Sequence, residues 1–293
     1  MKNYNSMLFR GVGLLKNVGI FLSSNKDCNS KAINNVIDVF LNFGVQIYVD
    51  CKKLNYSKKI IVLKDVNSVM KNIELAVVFG GDGSIIHYAK KASEYGVPIL
   101  GINMGRIGFL SSMEKGEAKK IYDVVNKKFI VSSRVLLEVI CKDRRMIALN
   151  EVALNRTPES SIPRYEIYKG KNKIYECCSD GIIVSTPTGS TAYSMSAGGP
   201  VVQNDLDCLV ITPVCPYTNF LRSIVLDTKD EIEAKFYLRN GGVSISIDGK
   251  SEFIFNNDES IKIKKSSLYT KFVVLKENNF YKNINKKITN KFC

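Results

Sequence analysis

"VVFGGDGSII", residues Val77–Ile86, runs from a short apolar stretch into three glycines grouped around one aspartate. A run of this length with a Gly-rich end reads as a buried strand entering a turn, and the residues after Ser84 can start a helix. Strand, turn and helix in that order form the unit of an α/β fold, whose parallel sheet is covered by helices. The glycines let backbone N–H groups point at a ligand, and a strand-to-helix junction adds a helix N-terminus; both suit phosphate. Asp82 does not, because its charge repels a phosphate. On these letters alone the stretch is equally a plain type I′ or II turn containing Asp-Gly.

The flanking sequence repeats the α/β alternation. "NVGIFLSS" (17–24) reads as a strand, and a helix follows from about Ser30 with Ile33, Val36, Ile37, Phe40 and Leu41 on one face and Gly44 as its stop. "VQIYV" (45–49), "KIIVLK" (59–64), "LAVVFGG" (75–81) and "PILGIN" (98–103) are strands. Helices are expected from Ser84 to about Tyr95 and from Glu114 to about Asn126. Near Lys128 the pattern changes to strands without helices: "VLLEVI", the pieces flanking Asn150-Glu151, a hairpin about Lys169–Asn172, "VSISIDGK" (243–250) and "SIKIKK" (260–265). The expected fold is an α/β N-terminal domain with a mostly parallel sheet, residues 1–129, and a β-rich domain, residues 130–265. The last segment, 266–293, returns to the first domain and ends in a basic tail.

Composition sets limits on function. With 293 residues, 45% of them hydrophobic, the chain can bury a sizeable core as one large domain or two ordinary ones. The formal charge of +14 attracts anions. The lysines are spread along the chain, however, and the denser groups at Lys58-Lys59 and Lys282–Lys291 lack interleaved aromatics, so a solvated basic surface with no nucleic-acid partner is expected. The eight cysteines are irregularly spaced with no C-x-x-C, and with His87 as the single histidine a zinc site is not expected. Reduced thiols and the lack of a long uncharged apolar run near the N-terminus point to a cytoplasmic protein with no membrane association.

Familiar nucleotide fingerprints are incomplete. Gly11-x-Gly13 is followed by Lys16 where a glycine is needed, and Gly249-Lys250-Ser251 has Ser244 where a P-loop begins with glycine. A second candidate is "SDGIIVSTPTGSTAYSMSAGGP" (179–200), which follows Asp-Gly with a dense set of hydroxyls, including Thr191, Tyr193, Ser194 and Ser196. Hydroxyls and glycine amides in such density can saturate a polar ligand with hydrogen bonds.

"FGGDGS", "GINMGRIGFL", "ALNEVAL", "SDGIIVSTPTGSTAYSMSAGGP", "ITPVCPYT" and "SIDGK" follow one another in the order seen in NAD kinases, and from about Val77 to Lys250 the chain resembles that family. The first motif is shared more loosely with diacylglycerol kinases, sphingosine kinases and phosphofructokinases. The resemblance implies phosphorylation of the adenosine-ribose 2′-hydroxyl of NAD to give NADP, with ATP or polyphosphate as donor, and Mg²⁺ or another divalent cation accompanying it. It also implies a homo-oligomer, dimer or tetramer. By the same resemblance Asp82 is the general base or a metal contact, and Gly80, Gly81 and Gly83 shape the phosphate turn. Phe109 lies against the adenine, Asn150 reads its edge, and Glu151 holds ribose hydroxyls. Asp180 lines the nicotinamide half, Thr191, Ala192, Tyr193 and Ser196 form the wall bridging the two halves, and Ser194 is a further substrate contact.

His87, one helical turn beyond Ser84, faces the motif; the matching family position is usually basic, which implies a phosphate or ribose contact. Met104, Arg106, Cys178 and Lys250 depart from the family pattern and bear on fine specificity. Two rival readings remain: another GGDG-type kinase acting on a lipid or sugar hydroxyl, and a non-enzymatic basic binder of nucleotides or nucleic acid. The set Asn150, Glu151 and Asp180 suits a polar dinucleotide better than a lipid.

Overall fold

The computed structural model of the chain describes residues 13–22, 31–49, 60–105, 108–217, 221–256 and 259–275, with short stretches at 6–7 and 284–285. Lys58-Lys59, Arg106 and most of 282–291 lie outside the described residues. The chain divides into two compact units, Met1–Ser133 with Thr270–Cys293, and Arg134–Tyr269.

The first unit contains β1 (Ser6–Met7), β2 (Asn17–Leu22), α1 (Lys31–Asn42), β3 (Gln46–Val49), β4 (Ile60–Val62), α2 (Val66–Met70), β5 (Leu75–Gly80), α3 (Asp82–Tyr95), β6 (Pro98–Asn103), β7 (Met113–Glu114) and α4 (Ile121–Val125). Strands β4, β3, β2, β5 and β6 lie side by side, all parallel. On its other edge β6 pairs in parallel with β7 at Ile102–Asn103 and with the returning segment at Pro98–Ile99, opposite Lys271 and Phe272. All six residues of β5 are buried, as expected of a central strand covered on both faces. Helix α1 buries Ile33, Val36, Ile37 and Phe40, the stripe its spacing predicts, and Gly44 follows it at φ +72°.

Helix α3 carries the Gly-rich motif, and its position follows from packing. Ile85, Ala89 and Ala92 recur at helical spacing and are buried. A Cβ on Gly101 of β6 would meet Ile85 Cδ1 at 2.7 Å, so a side chain there would displace the Ile85 side chain that packs the helix on the sheet. Burial of a side chain such as Ile85 contributes roughly 1.5–3 kcal/mol. The helix stops at Gly96, left-handed at φ +67°, whose N–H donates to the carbonyls of Ala92 and Ser93.

The strand pairs described in the second unit, apart from the pairing of its entering and leaving strands, are antiparallel. Its strands are β8 (Ile130–Cys141, entering from the first unit), β9 (Arg144–Ala148), β10 (Glu151–Arg156), β11 (Arg164–Lys169), β12 (Asn172–Ser185), β13 (Cys208–Pro216), β14 (Ile224–Asp227), β15 (Ile232–Tyr237), β16 (Val243–Ile247), β17 (Lys250–Phe255) and β18 (Ser260–Val274, leaving to the first unit). The long β12 serves two sets of partners. Its first half forms the predicted hairpin with β11, closing on Lys169↔Asn172, while its second half lies between β10 and β13. β16 continues from β10, and β17 from β16. The inward faces share a core that includes Leu154, Tyr165, Val184, Ile211, Phe236 and Ile245.

The expected α/β and β-rich architecture, with a final segment returning to the first unit, is the one observed. Three local expectations change. The helix expected from Glu114 to Asn126 is a short strand, a 3-10 turn at Ala118–Lys120 and a five-residue α4. Gly116 weakens a helix there, and pairing with β6 seats Met113 in the core. Helix α3 begins at Asp82, two residues before Ser84, so Asp82 is a helical residue and the turn is confined to Gly81. The strand read through Lys250 stops at Ile247, because Asp248 (φ +49°) and Gly249 (φ +76°) form a two-residue reversal into β17.

Candidate functional site

In the first unit the site is built at the C-terminal end of β5. Gly81 caps α3 in an extended conformation and Asp82 opens the helix, where a carboxylate favours the positive end of the dipole. Asp82 reaches the loop after β6: Oδ2 accepts the Phe109 N–H at 2.7 Å and Oδ1 accepts the Leu110 N–H at 3.2 Å. A Cβ on Gly108 would collide with this carboxylate, so glycine is needed for the loop to approach. Cβ atoms at Gly81 and Gly83 would instead enter open space. Asn103, at the end of β6, is buried; its Nδ2 donates to Glu114 at 2.9 Å and its Oδ1 accepts the Gly105 N–H at 3.0 Å. His87 is exposed on α3, edge-on to the Tyr88 ring at 5.0 Å between centroids. Phe109 is half-buried.

In the second unit the site gathers around the connection from β9 to β10. Every backbone polar group of Leu149 and Asn150 has a partner. Asp248 accepts the N–H of Leu149 at 3.1 Å on both oxygens and that of Asn150 at 2.7 Å. Thr186 donates its hydroxyl to the Leu149 carbonyl at 2.6 Å and its N–H to the Asn150 carbonyl at 2.8 Å. Gly189 presses against the Asn150 backbone so closely that a Cβ would overlap it.

Glu151 follows directly and is buried at 5% exposure. Burial first, and then the nearby charge of Asp248, push its carboxyl up to about 7, opposed by the Tyr193 N–H that donates to it. Its Oε2 has no hydrogen-bond partner among the described residues, and neither has the buried Oγ of Ser185, its cross-strand neighbour on β12. Two orphaned oxygens on one face make a place that favours a polar guest.

The hydroxyl-rich stretch is folded, in part as a 3-10 turn at Gly189–Thr191 and a short α5 at Tyr193–Ser196. Tyr193 is 38% exposed and its hydroxyl meets Asn155 Oδ1 at 3.3 Å. Thr191 and Ala192 are half-buried and Ser196 is exposed. Ser194 is fully buried, with Oγ 2.9 Å from Thr212 Oγ1, so its hydroxyl serves the packing of the wall. Asp180 accepts from Arg156 Nε at 2.7 Å in a half-exposed ion pair. Gly108 and Asp248 lie in the motifs "GINMGRIGFL" and "SIDGK", but the letters show only a hairpin-turn Asp-Gly pair at Asp248 and give no signal for Arg156.

Among the described residues no three His, Cys, Asp or Glu side chains cluster as metal ligands, and no helix is long and apolar enough to cross a membrane.

The chain thus joins an α/β unit, with a Gly-rich strand-to-helix junction, to a β-rich unit that holds two buried side-chain oxygens without partners among the described residues. The yeast NADH kinase complexed with NADH superposes with a TM-score of 0.83 at 22% identity, covering 96% of this chain and 89% of that one. An NAD kinase from Archaeoglobus fulgidus in complex with ATP gives 0.72 at 22% identity, covering 93% and 98%. Residues 18–129 match the ATP-NAD kinase N-terminal domain and residues 149–275 the ATP-NAD kinase C-terminal domain. The NAD kinase of Caldanaerobacter subterraneus subsp. tengcongensis is 32% identical over 284 residues, 94% of this chain and 99% of its own. That of Symbiobacterium thermophilum is 35% identical over 223 residues, 74% and 79% of the two chains. The chain belongs to the NAD kinase family.

Proposed function

We propose that this chain transfers the terminal phosphoryl group of ATP, or of another phosphoryl donor such as polyphosphate, to the 2′-hydroxyl of the adenosine ribose of NAD. The observation that carries the reading is similarity along nearly the whole chain, 94% of it against 99% of a curated NAD kinase. The ribose oxygen forms the new bond to phosphorus, the bond to the departing diphosphate oxygen breaks, and the hydroxyl proton leaves. Such transfers ask a protein mainly to position the reactants and neutralise charge.

The amides about Gly80, Gly81 and Gly83 receive phosphate oxygens, and His87 adds a contact at the edge. Asp82 keeps acceptor capacity beyond its two backbone partners, since a carboxylate offers about four lone-pair sites. It is the group that takes the hydroxyl proton, or that touches a divalent cation arriving with the donor phosphates. A bound Mg²⁺ would supply charge neutralisation on those phosphates. Phe109 packs against the adenine, Asn150 reads its edge and Glu151 receives ribose hydroxyls. Asp180 faces the nicotinamide half, and Thr191, Ala192, Tyr193 and Ser196 form the intervening wall, with Ser194 holding it from behind. A homo-oligomer, dimer or tetramer, in the cytoplasm and without nucleic-acid partners completes the reading.

The test is purified protein with NAD, ATP and Mg²⁺, and NADP followed with an NADP-specific dehydrogenase. NADP should accumulate in step with ADP. ADP formation without NADP would overturn the assignment of the acceptor.

A further inference from the structure

We infer that Asp248 is the positioning residue of the acceptor site, a clamp whose carboxylate fixes the Leu149–Glu151 turn and so aims Asn150 and Glu151 at their ligand. The inference rests on the reading that Asn150 and Glu151 grip NAD.

The geometry carries it. Asp248 lies nearly a hundred residues along the chain from the turn, yet one of its oxygens takes the N–H of Asn150 at 2.7 Å and approaches that of Glu151 at 3.4 Å. Both of its oxygens share the Leu149 N–H at 3.1 Å. Its own N–H donates to the Glu151 carbonyl at 3.0 Å, so the clamp is tied to the turn from both directions. Asp248 holds a left-handed backbone at φ +49°, uncommon for a residue with a side chain, although Asp tolerates it in a two-residue hairpin. A turn residue alone would satisfy the hairpin; accepting the amides of a second turn is an additional task.

The clamp has an electrostatic consequence. Its negative charge stands beside the buried Glu151 carboxyl and joins burial in holding the proton there, against the Tyr193 N–H that favours the ionised form. Ribose hydroxyls donate best to an ionised carboxylate. Acceptor affinity should therefore improve as pH rises through about 7, and Asp248 helps to set where that improvement falls.

Two variants separate the clamp from the hairpin. Asp248→Gly keeps the left-handed turn, which glycine adopts freely, and removes the carboxylate. Asp248→Asn also tolerates the turn, keeps one acceptor oxygen and removes the charge. Binding of NAD is measured without ATP from pH 5 to 9, and amide hydrogen exchange is measured for the peptide covering 149–151. Asp248→Gly should speed exchange of that peptide and weaken NAD binding about tenfold or more, the scale of losing charge-assisted hydrogen bonds. Asp248→Asn should weaken it less, and both variants should move the acidic limb of NAD binding to lower pH. A merely structural role would lower affinity at every pH and leave the limb in place, which overturns the inference. Unchanged exchange at 149–151 in Asp248→Gly overturns it as well, whether or not NAD binds. Failure of the acceptor reading looks different: exchange would speed up in Asp248→Gly, while Glu151→Gln would leave NAD binding untouched.

Discussion

The Asp82 carboxylate accepts the backbone N–H of Phe109 at 2.7 Å, joining the first turn of α3 to a loop twenty-seven residues further along the chain. The motif aspartate therefore has a structural task beside any chemical one. Its second oxygen takes the Leu110 N–H at 3.2 Å, so the carboxylate fixes the loop that presents the Phe109 ring. A carboxylate among these glycines has a use even before a substrate arrives.

Asp82→Asn tests both tasks at once. Asparagine keeps the size, but it offers one acceptor oxygen and turns an NH₂ group toward the other backbone N–H. Leaving one such donor unpaired costs about 1–3 kcal/mol, so a modest drop in the unfolding midpoint is expected. NADP formation should fall further, by about 10²–10⁴-fold, the usual scale for losing a general base. The measurements are NADP formation and thermal unfolding of both proteins. A variant that keeps more than about a tenth of wild-type turnover would leave Asp82 with the structural task alone.

Gly108→Ala probes the same junction from the other side. The added methyl group meets the Asp82 carboxylate, and the loop or the side chain must yield. Overpacking of this kind costs about 1–3 kcal/mol. Turnover should fall sharply while the circular dichroism spectrum stays that of the wild type. Full activity in Gly108→Ala would mean that the Asp82–loop contact is dispensable.

Asp180 pairs with Arg156 at 2.7 Å, with both side chains more than a third exposed. Pairs this open contribute about 0–1 kcal/mol, so Asp180→Ala should barely change stability. It should weaken binding of intact NAD while sparing AMP, because its place in the proposed site is the nicotinamide half. Calorimetric titration with both ligands gives the answer, and equal loss for the two would move Asp180 out of that half.

The large divisions of the molecule were legible because they rest on periodicity. The six apolar residues of β5 and the stripe from Ile33 to Phe40 announce their burial in the letters themselves. Asn150, Glu151 and Asp82 were legible as motif members, but what holds them was not. The contact between Asp248 and Asn150 joins positions far apart in the chain, and nothing local in either predicts it. The short strand at Met113–Glu114 is not legible for a related reason: pairing with β6 decides it, and a two-residue strand leaves no period to read. Ser194 stands among hydroxyls that suit a ligand, yet the backbone turns its side chain toward Thr212.

Glu151 gives the last prediction, one about stability. Its carboxyl has an ordinary value of 4.5 and is pushed up to about 7 in the folded chain, first by burial and then by Asp248. Between these values the folded protein holds a proton that the unfolded chain has released. The stabilisation tied to that proton is complete below about 4.5 and is lost as pH rises through about 7. A shift of this size corresponds to a loss of about 3 kcal/mol, at 1.36 kcal/mol per pH unit, for a side chain only 5% exposed. Glutamine cannot ionise, so Glu151→Gln should match the wild type most closely near pH 4.5, gain on it as pH rises to about 7, and hold that advantage to pH 8. The second unit should then unfold at higher urea than the wild type at pH 8, with the advantage shrinking in acid. Urea titrations of both proteins at several pH values between 4.5 and 8 provide the measurement. A wild-type-minus-variant difference that stays constant across that range would show that Glu151 ionises in the folded protein as it does in the unfolded chain.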